Sequence, residues 1–201
     1  AAEQRLADTL PAATSADTAT YVQWAVRGSR RFPTNITLLQ GKNRAFAMSG
    51  QVDSSLAVTR QLMALDSTNV VPALAAEQAL LAAKRFPEAQ PYIDFVVRRG
   101  DPDAKNKASG LLVTSAVPLL QPPTPDYKAA ADLLRQAITI APNATFASTA
   151  NYLFGLATFF QVPPLDPLAE KGKSCDIAKQ MDSLLKESET ALNLGKTAKP
   201  E

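Results

Sequence analysis

The sequence predicts an all-α fold, an α–α superhelix in which antiparallel helix pairs form a solenoid that ends in a C-terminal capping helix. Two observations support this class. Segments with helical spacing and small side chains end at prolines or loop residues, and DYKAAADLLRQAITIAPN (126–143) is the clearest of them. Similar segments recur along the chain, which is typical of a repeat protein. Small residues on a helix face indicate that another helix packs closely against it.

The helices can be placed from their start and stop signals. A start is indicated by an N-cap residue, whose side chain accepts a backbone hydrogen bond, or by proline in the first turn. The expected N-caps are Asn35, Asp53, Asn69, Asp101 and Asn143. The expected helices span about 17–31, 35–48, 53–65, 70–84, 87–99, 103–118, 126–140, 144–160 and 173–194, with a short one near 2–9.

The two C-terminal helices differ in how their apolar residues are distributed. The helix at 144–160 is apolar on nearly every face, which predicts burial between neighbours, and the proline-rich loop 161–167 beside it is a candidate docking loop. The helix at 173–194 has one apolar and one charged face, as a capping helix at the end of a solenoid requires. Its apolar face consists of Ile177, Met181, Leu184, Leu185 and Leu192.

A period of about 34 residues relates three segments, 49–69, 83–103 and 124–144, which align without gaps. Phe86 lies 34 residues after Val52, and Tyr127 lies 41 after Phe86, which is the same period plus an insertion of seven. This alignment predicts one repeat domain over residues 1–201. Its clear repeats are 35–69, 70–103 and 104–143, and its weaker halves are 1–34 and 144–201.

The same alignment has a column of small residues, formed by Ser55, Ala89 and Ala130. Small side chains there would let the second helix of each repeat approach the first, so Ala130 is expected under Tyr127. A larger residue should overpack Ala130 more than Ala131, and Ala89 more than Gln90.

The repeats resemble the tetratricopeptide family. KRFPEA (84–89) and PDYKAA (125–130) resemble the family's second-helix opening of glycine, any residue, aromatic, two residues and alanine, with Lys84 and Pro125 in place of glycine. ITIAPNA (138–144) resembles its closing segment. The family's tryptophan and leucine–glycine pair are missing from the first helix ITLLQGKNRAFAMSG (36–50). The resemblance covers about residues 16–160.

Composition excludes several kinds of site. The chain has no histidine, which removes Ser-His-Asp and Cys-His catalysis and His-ligated metals. The single cysteine, Cys175, excludes an internal disulfide and a multi-cysteine metal centre. With 21 basic and 19 acidic residues, the formal charge of +2 does not indicate a nucleic-acid partner. QGKNR (40–44) lacks the flanking residues of a phosphate loop. We expect no catalytic activity, no cofactor and no metal.

The family resemblance implies a concave groove lined by the first helix of each repeat. Chaperone-binding members of the family hold a peptide carboxylate with lysine, asparagine and arginine, and Gln40 and Leu74 stand where such a clamp is expected. An apolar groove favours a helical or extended apolar segment of a protein partner instead. The expected partner-contacting residues are Gln40, Arg44, Met48, Gln78, Leu81, Leu112, Phe159 and Phe160, and for Leu74 and Leu112 interhelix packing fits equally well.

Two functions are compatible with this sequence. The favoured one is a non-catalytic interaction scaffold or accessory subunit of a larger complex, with an envelope or membrane-associated complex as one setting. The alternative is a regulatory or targeting helical domain cut from a longer protein, with an enzyme as one option for that protein. The start Ala-Ala-Glu fits both a mature exported (periplasmic) protein and a fragment. No apolar run reaches the roughly 18 residues that a membrane-spanning helix needs.

Overall fold

The structure, a computed structural model, describes residues 15–144, 146–165 and 175–197, and all regular secondary structure in these ranges is helical. The helix expected near 2–9 lies outside the described residues. The α-helices are α1 (Ser15–Arg31), α2 (Ile36–Met48), α3 (Val52–Leu65), α4 (Val71–Ala82), α5 (Phe86–Arg99), α6 (Pro102–Ala116), α7 (Tyr127–Ile140), α8 (Ala147–Phe159) and α9 (Cys175–Thr197). Two short 3₁₀ turns occupy Val117–Leu120 and Pro163–Leu165. The all-α prediction is confirmed.

The described residues fold as two compact units, which divide between Gly100 and Asp101. In the first, each helix from α1 to α5 packs against the next along the chain. In the second, α6 packs on α7, α7 on α8, and α8 on α9. The turns that join α2 to α3 and α4 to α5 are three residues long, 49–51 and 83–85, so the helices they join run antiparallel.

The small-residue column lies at these helix contacts. Ser55, Ala89 and Ala130 are all buried, in agreement with the predicted alignment. Ala131 is buried as well, so the expectation that it would tolerate a larger side chain better than Ala130 is not supported. The physical reason is that α7 packs against both α6 and α8, which leaves it two buried faces.

Two of the predicted N-caps are confirmed. The Asn35 side chain accepts a hydrogen bond from the Leu38 backbone N–H at 3.1 Å. The Asp101 side chain accepts one from the Ala104 N–H at 2.7 Å. Asn69 lies two residues before α4, and its side chain accepts from the Val71 N–H at 3.0 Å. These contacts satisfy N–H groups that a helix start leaves without an intrahelical partner.

The other two N-cap predictions are wrong. Asp53 lies inside the first turn of α3, where its carboxylate pairs with Arg85 at 2.8 Å instead of capping. The helix after Asn143 begins only at Ala147. An unpredicted N-cap, Asp126, starts α7 by accepting from the Ala129 N–H at 2.9 Å.

Helices α8 and α9 approach each other closely at two glycines, Gly155 and Gly195. A Cβ atom at Gly155 would lie 2.7 Å from Leu192 Cγ and 3.1 Å from the Leu192 backbone nitrogen. Only glycine fits this position without displacement of α9. Ser188 on α9 adds a buried hydrogen bond of 2.8 Å to the Gly155 carbonyl. The contact therefore explains how the amphipathic α9 covers α8.

Candidate functional site

The first unit contains a groove between α2, α3 and the start of α4, with a volume of about 390 Å³. We call it the α2–α4 groove. It is lined by Gln40, Asn43, Arg44, Ala47, Ser55, Leu62, Val71, Pro72 and Ala75. The lining is mainly apolar on α3 and α4, whereas α2 contributes most of the polar groups.

Local sequence explains how these side chains converge. Gln40, Arg44 and Ala47 are spaced by four and three residues, which places them on one face of α2. Pro72 lies in the first turn of α4, where its missing N–H costs no helical hydrogen bond. The neighbouring Val71 is 65% exposed, so a large apolar side chain stands open at the edge of the groove.

The polar side chains at the floor of the groove form hydrogen bonds with one another. The Asn43 amide oxygen accepts a hydrogen bond from the Ser55 hydroxyl, and the Asn43 amide nitrogen donates to Thr59 Oγ1 at 3.1 Å. All three side chains are buried. Gln40 and Arg44 are exposed, and within the described residues their side chains make no hydrogen bond or ion pair. These two are the polar groups that the groove offers to a ligand.

The predicted partner-contacting residues differ in exposure and in whether they line the groove. Gln40 and Arg44 line the groove. Met48 and Gln78 are exposed but do not line it. Leu81 (3% exposed) and Leu112 (0% exposed) are core residues, so their assignment to a binding surface is wrong. Side chains packed between helices present no surface to a partner. Leu74, half-buried, does not line the groove either.

Phe160 lines a separate cavity in the second unit, and Phe159 contacts it from outside that cavity. Phe160 stacks on Tyr127 with ring centroids 5.2 Å apart, and Phe159 contacts Phe160 edge-on at 5.6 Å. Both phenylalanines remain close to half exposed. The cavity has a volume of about 470 Å³. It is lined by Pro125, Asp126, Tyr127, Lys128, Phe160, Gln161, Leu165, Gln180 and Leu184. The predicted docking loop is described as far as Leu165, and residues 166–167 lie outside the described residues.

A further cavity in the second unit, about 340 Å³, lies between α7, α8 and α9. Its main charged side chain is already engaged: Arg135 pairs with Glu187 at 3.0 Å and with Asp132 at 3.2 Å. The Arg135 guanidinium also lies 5.1 Å from the centre of the Phe154 ring. These contacts join three helices, so we interpret Arg135 as structural.

Glu77 on α4 was not singled out by the sequence analysis. Its side chain is fully buried (0% exposed), and neither carboxyl oxygen has a hydrogen-bond partner. Burial raises the pKa of Glu77 to about 8, because the charged form loses its hydration. At neutral pH the carboxyl group is therefore mainly protonated.

The repeat period provides a signal that could have revealed Glu77. Counting 34 residues onward from Asn43 gives Glu77, and the same step takes Ser55 to Ala89 and Thr59 to Ile93. The second repeat thus keeps a polar residue at the buried position but has apolar residues where its partners would be.

Over the described residues there is no group of three or more potential metal ligands. None of the described helices is long and apolar enough to cross a membrane.

Comparison with solved structures identifies proteins of similar fold. A crystal structure of the MamA protein matches with a TM-score of 0.54 at 14% identity, covering 97% of this chain and 91% of that one. A MamA AMB-1 structure matches with a TM-score of 0.46 at 11% identity, covering 98% of this chain and 97% of that one. YrrB, described as a TPR protein with an unusual peptide-binding site, matches with a TM-score of 0.46 at 11% identity, covering 90% and 84%.

The sequence itself matches no protein-family profile and no curated protein. At 14% identity, the MamA likeness concerns the fold alone. Together with the 34-residue period and the packed helix pairs, it identifies the fold as tetratricopeptide-like.

Proposed function

We propose that this chain is a non-catalytic interaction scaffold, or the accessory subunit of a larger complex, that holds a segment of a partner protein in the α2–α4 groove. The observation that carries the proposal is the groove itself. It combines an apolar wall that ends in the exposed Val71 with two side chains, Gln40 and Arg44, that have no partner within the described residues.

The groove chemistry favours a short apolar segment in a helical or extended form. Apolar side chains of the partner would pack against Val71, Pro72 and Ala75. Gln40 and Arg44 would donate hydrogen bonds to backbone carbonyls or side-chain oxygens at the edge. The floor needs no polar partner, because Asn43 is satisfied by Ser55 and Thr59.

A binding role also agrees with the chemistry of the lining residues. The one hydroxyl among them, on Ser55, donates a hydrogen bond to Asn43, and the lining residues include no histidine, lysine or carboxylate that could act as its general base. Glu77, whose carboxyl group has a strongly raised pKa, does not line the groove. These residues therefore support contact with a ligand rather than turnover.

Site-specific photo-crosslinking in the native source tests the proposal. A photo-reactive residue at Ala47 or Ala75, both exposed and in the groove, should crosslink to a discrete partner. The same residue at Ala57, exposed on α3 but outside the groove, is the matched control. Mass spectrometry of the crosslinked species identifies the partner and the complex, including whether it belongs to the envelope. Equal crosslinking from Ala57, or none from the groove positions, would contradict the proposal.

A further inference from the structure

The exposed side of α1 and the turn that follows it carry an unusual combination of aromatic and basic side chains. Trp24 is 49% exposed and Phe32 47% exposed, although both are large and apolar. Arg27, Arg30 and Arg31 are exposed beside them. Trp24, Arg27 and Arg31 are spaced by three and four residues, so they follow one face of the helix. We call these five residues the α1 face.

This face lies in a chain segment without negative charge. No aspartate or glutamate occurs between Asp17 and Asp53, whereas this segment contains five basic residues. They are Arg27, Arg30, Arg31, Lys42 and Arg44. Within the described residues the three arginines of the α1 face form no ion pair. Among the described residues this positive charge is therefore unpaired, and it complements an anionic partner.

Helix-end electrostatics explains only part of this pattern. Arginine in the last turn of a helix is favoured by the macrodipole, which accounts for Arg30 and Arg31. The same effect accounts for Arg98 and Arg99 at the end of α5. It gives no reason for the exposure of Trp24 and Phe32.

The two aromatic rings are each paired with an arginine. The Arg27 guanidinium carbon lies 5.7 Å from the centre of the Trp24 ring, and that of Arg31 lies 5.8 Å from the centre of Phe32. Each guanidinium thus covers one ring face. Single-stranded nucleic acids bind aromatic residues by stacking on ring faces, so this pairing disfavours them as the partner.

We propose that the α1 face docks on the surface of an anionic lipid bilayer. Tryptophan and phenylalanine favour the depth of the lipid headgroups, where the ring is in a partly apolar layer. Arginine forms forked hydrogen bonds with phosphate groups at the same depth. A helix face is convex, so a fluid bilayer accommodates it, whereas a protein segment would need a matching concave surface. This inference does not depend on the function proposed for the α2–α4 groove.

Trp24 is the chain's single tryptophan, so its fluorescence reports directly on this face. The full chain is titrated with vesicles of neutral phosphatidylcholine, and with vesicles in which roughly a third of the lipid is anionic phosphatidylglycerol. We expect a blue shift of the emission and co-sedimentation with the anionic vesicles only. Added salt should weaken binding because the attraction is electrostatic.

Two double variants separate this face from general positive charge. Arg27→Gln with Arg31→Gln should weaken binding by about 25-fold, since each arginine near an anionic surface contributes about fivefold. Arg98→Gln with Arg99→Gln removes the same charge from another helix end and should leave binding unchanged. Arg27→Lys with Arg31→Lys keeps the charge and should retain most of the binding, which guards against a loss caused by unfolding of the glutamine variant.

Several results would overturn the proposal. They are the absence of a blue shift with anionic vesicles, an equal shift with neutral vesicles, and equal losses in the two glutamine variants. Binding to polyglutamate or polyuridylate without binding to vesicles would assign the α1 face to an acidic protein or to RNA instead.

Discussion

The most unusual single residue in this protein is Glu77, a buried carboxyl group without a hydrogen-bond partner. Its pKa is raised from an ordinary value of 4.5 to about 8 in the folded chain. Between these two values the folded chain keeps a proton that the unfolded chain releases. The free energy of unfolding should therefore fall as pH rises through this window, by up to about 1.4 kcal/mol per pH unit, and level off above it.

Glu77→Gln should remove this pH dependence and stabilise the protein near neutral pH, because glutamine has no ionised form to keep out of the core. Urea unfolding measured from about pH 5 to about pH 8 tests this prediction. Glu88→Gln is the control: Glu88 is exposed, and its hydrogen bond with Arg85 lowers its pKa. Its stabilising contribution is lost only in acid, so this variant should keep the slope of the parent. An unchanged slope in Glu77→Gln would show that the group is ionised in the folded chain.

The column of small residues at helix contacts, which includes Ala89, predicts where a helix tolerates a larger side chain. Ala89 is fully buried on α5, whereas the adjacent Gln90 is exposed. Ala89→Leu should lower the free energy of unfolding by about 1–3 kcal/mol through overpacking, and Gln90→Leu by clearly less. Thermal and urea melts of the two variants measure the contrast. Equal destabilisation would mean that α5 is rotated about its axis away from the orientation that buries Ala89 and exposes Gln90.

At the scale of the element, two glycines inside helices differ in the space available for a side chain. A Cβ at Gly155 would lie 2.7 Å from Leu192, whereas one at Gly110 would lie 3.4 Å from Phe146, an ordinary contact. Gly155→Ala should push α9 away from α8 and destabilise the protein by about 1–3 kcal/mol. Gly110→Ala should be neutral or stabilise α6 by up to about 1 kcal/mol through helix propensity. Chemical denaturation checks both, and a neutral Gly155→Ala would contradict the close α8–α9 approach.

The helices were predictable because they obey local rules and a regular period. Side-chain caps such as Asn35 and Asp101 mark helix starts in sequence. Asp53 failed as a cap because α3 begins one residue earlier, at Val52. Its carboxylate pairs with a distant residue, Arg85, and no local pattern encodes that pairing. Elements defined by neighbouring residues were therefore recovered, whereas roles defined by contacts across the chain were not.

For the whole molecule, the fold class followed from the period, whereas the residues that line the α2–α4 groove followed only in part. Gln40 and Arg44 line the α2–α4 groove in the structure, and their contact with a partner stays a prediction. Leu81 and Leu112 were misassigned because an apolar residue on a first helix suits a groove and a helix contact equally well. Whether such a residue lies in a groove or in a helix contact depends on which neighbouring helix packs against it. The amino-acid sequence of the helix alone does not determine that.

Partner binding should depend on the α2–α4 groove of the first unit rather than on the exposed phenylalanines Phe159 and Phe160 of the second. Phe159 and Phe160 already contact other rings, whereas the exposed Val71 side chain is open to a ligand. Val71→Asp would place a charge in the apolar wall and should weaken binding by at least about tenfold, since burying an unpaired carboxylate is strongly unfavourable. Phe159→Ser should leave the affinity nearly unchanged. Calorimetric titration with a synthetic peptide of the crosslinked segment measures both, alongside circular dichroism to verify folding. A larger loss in Phe159→Ser than in Val71→Asp would move the binding site to the second unit.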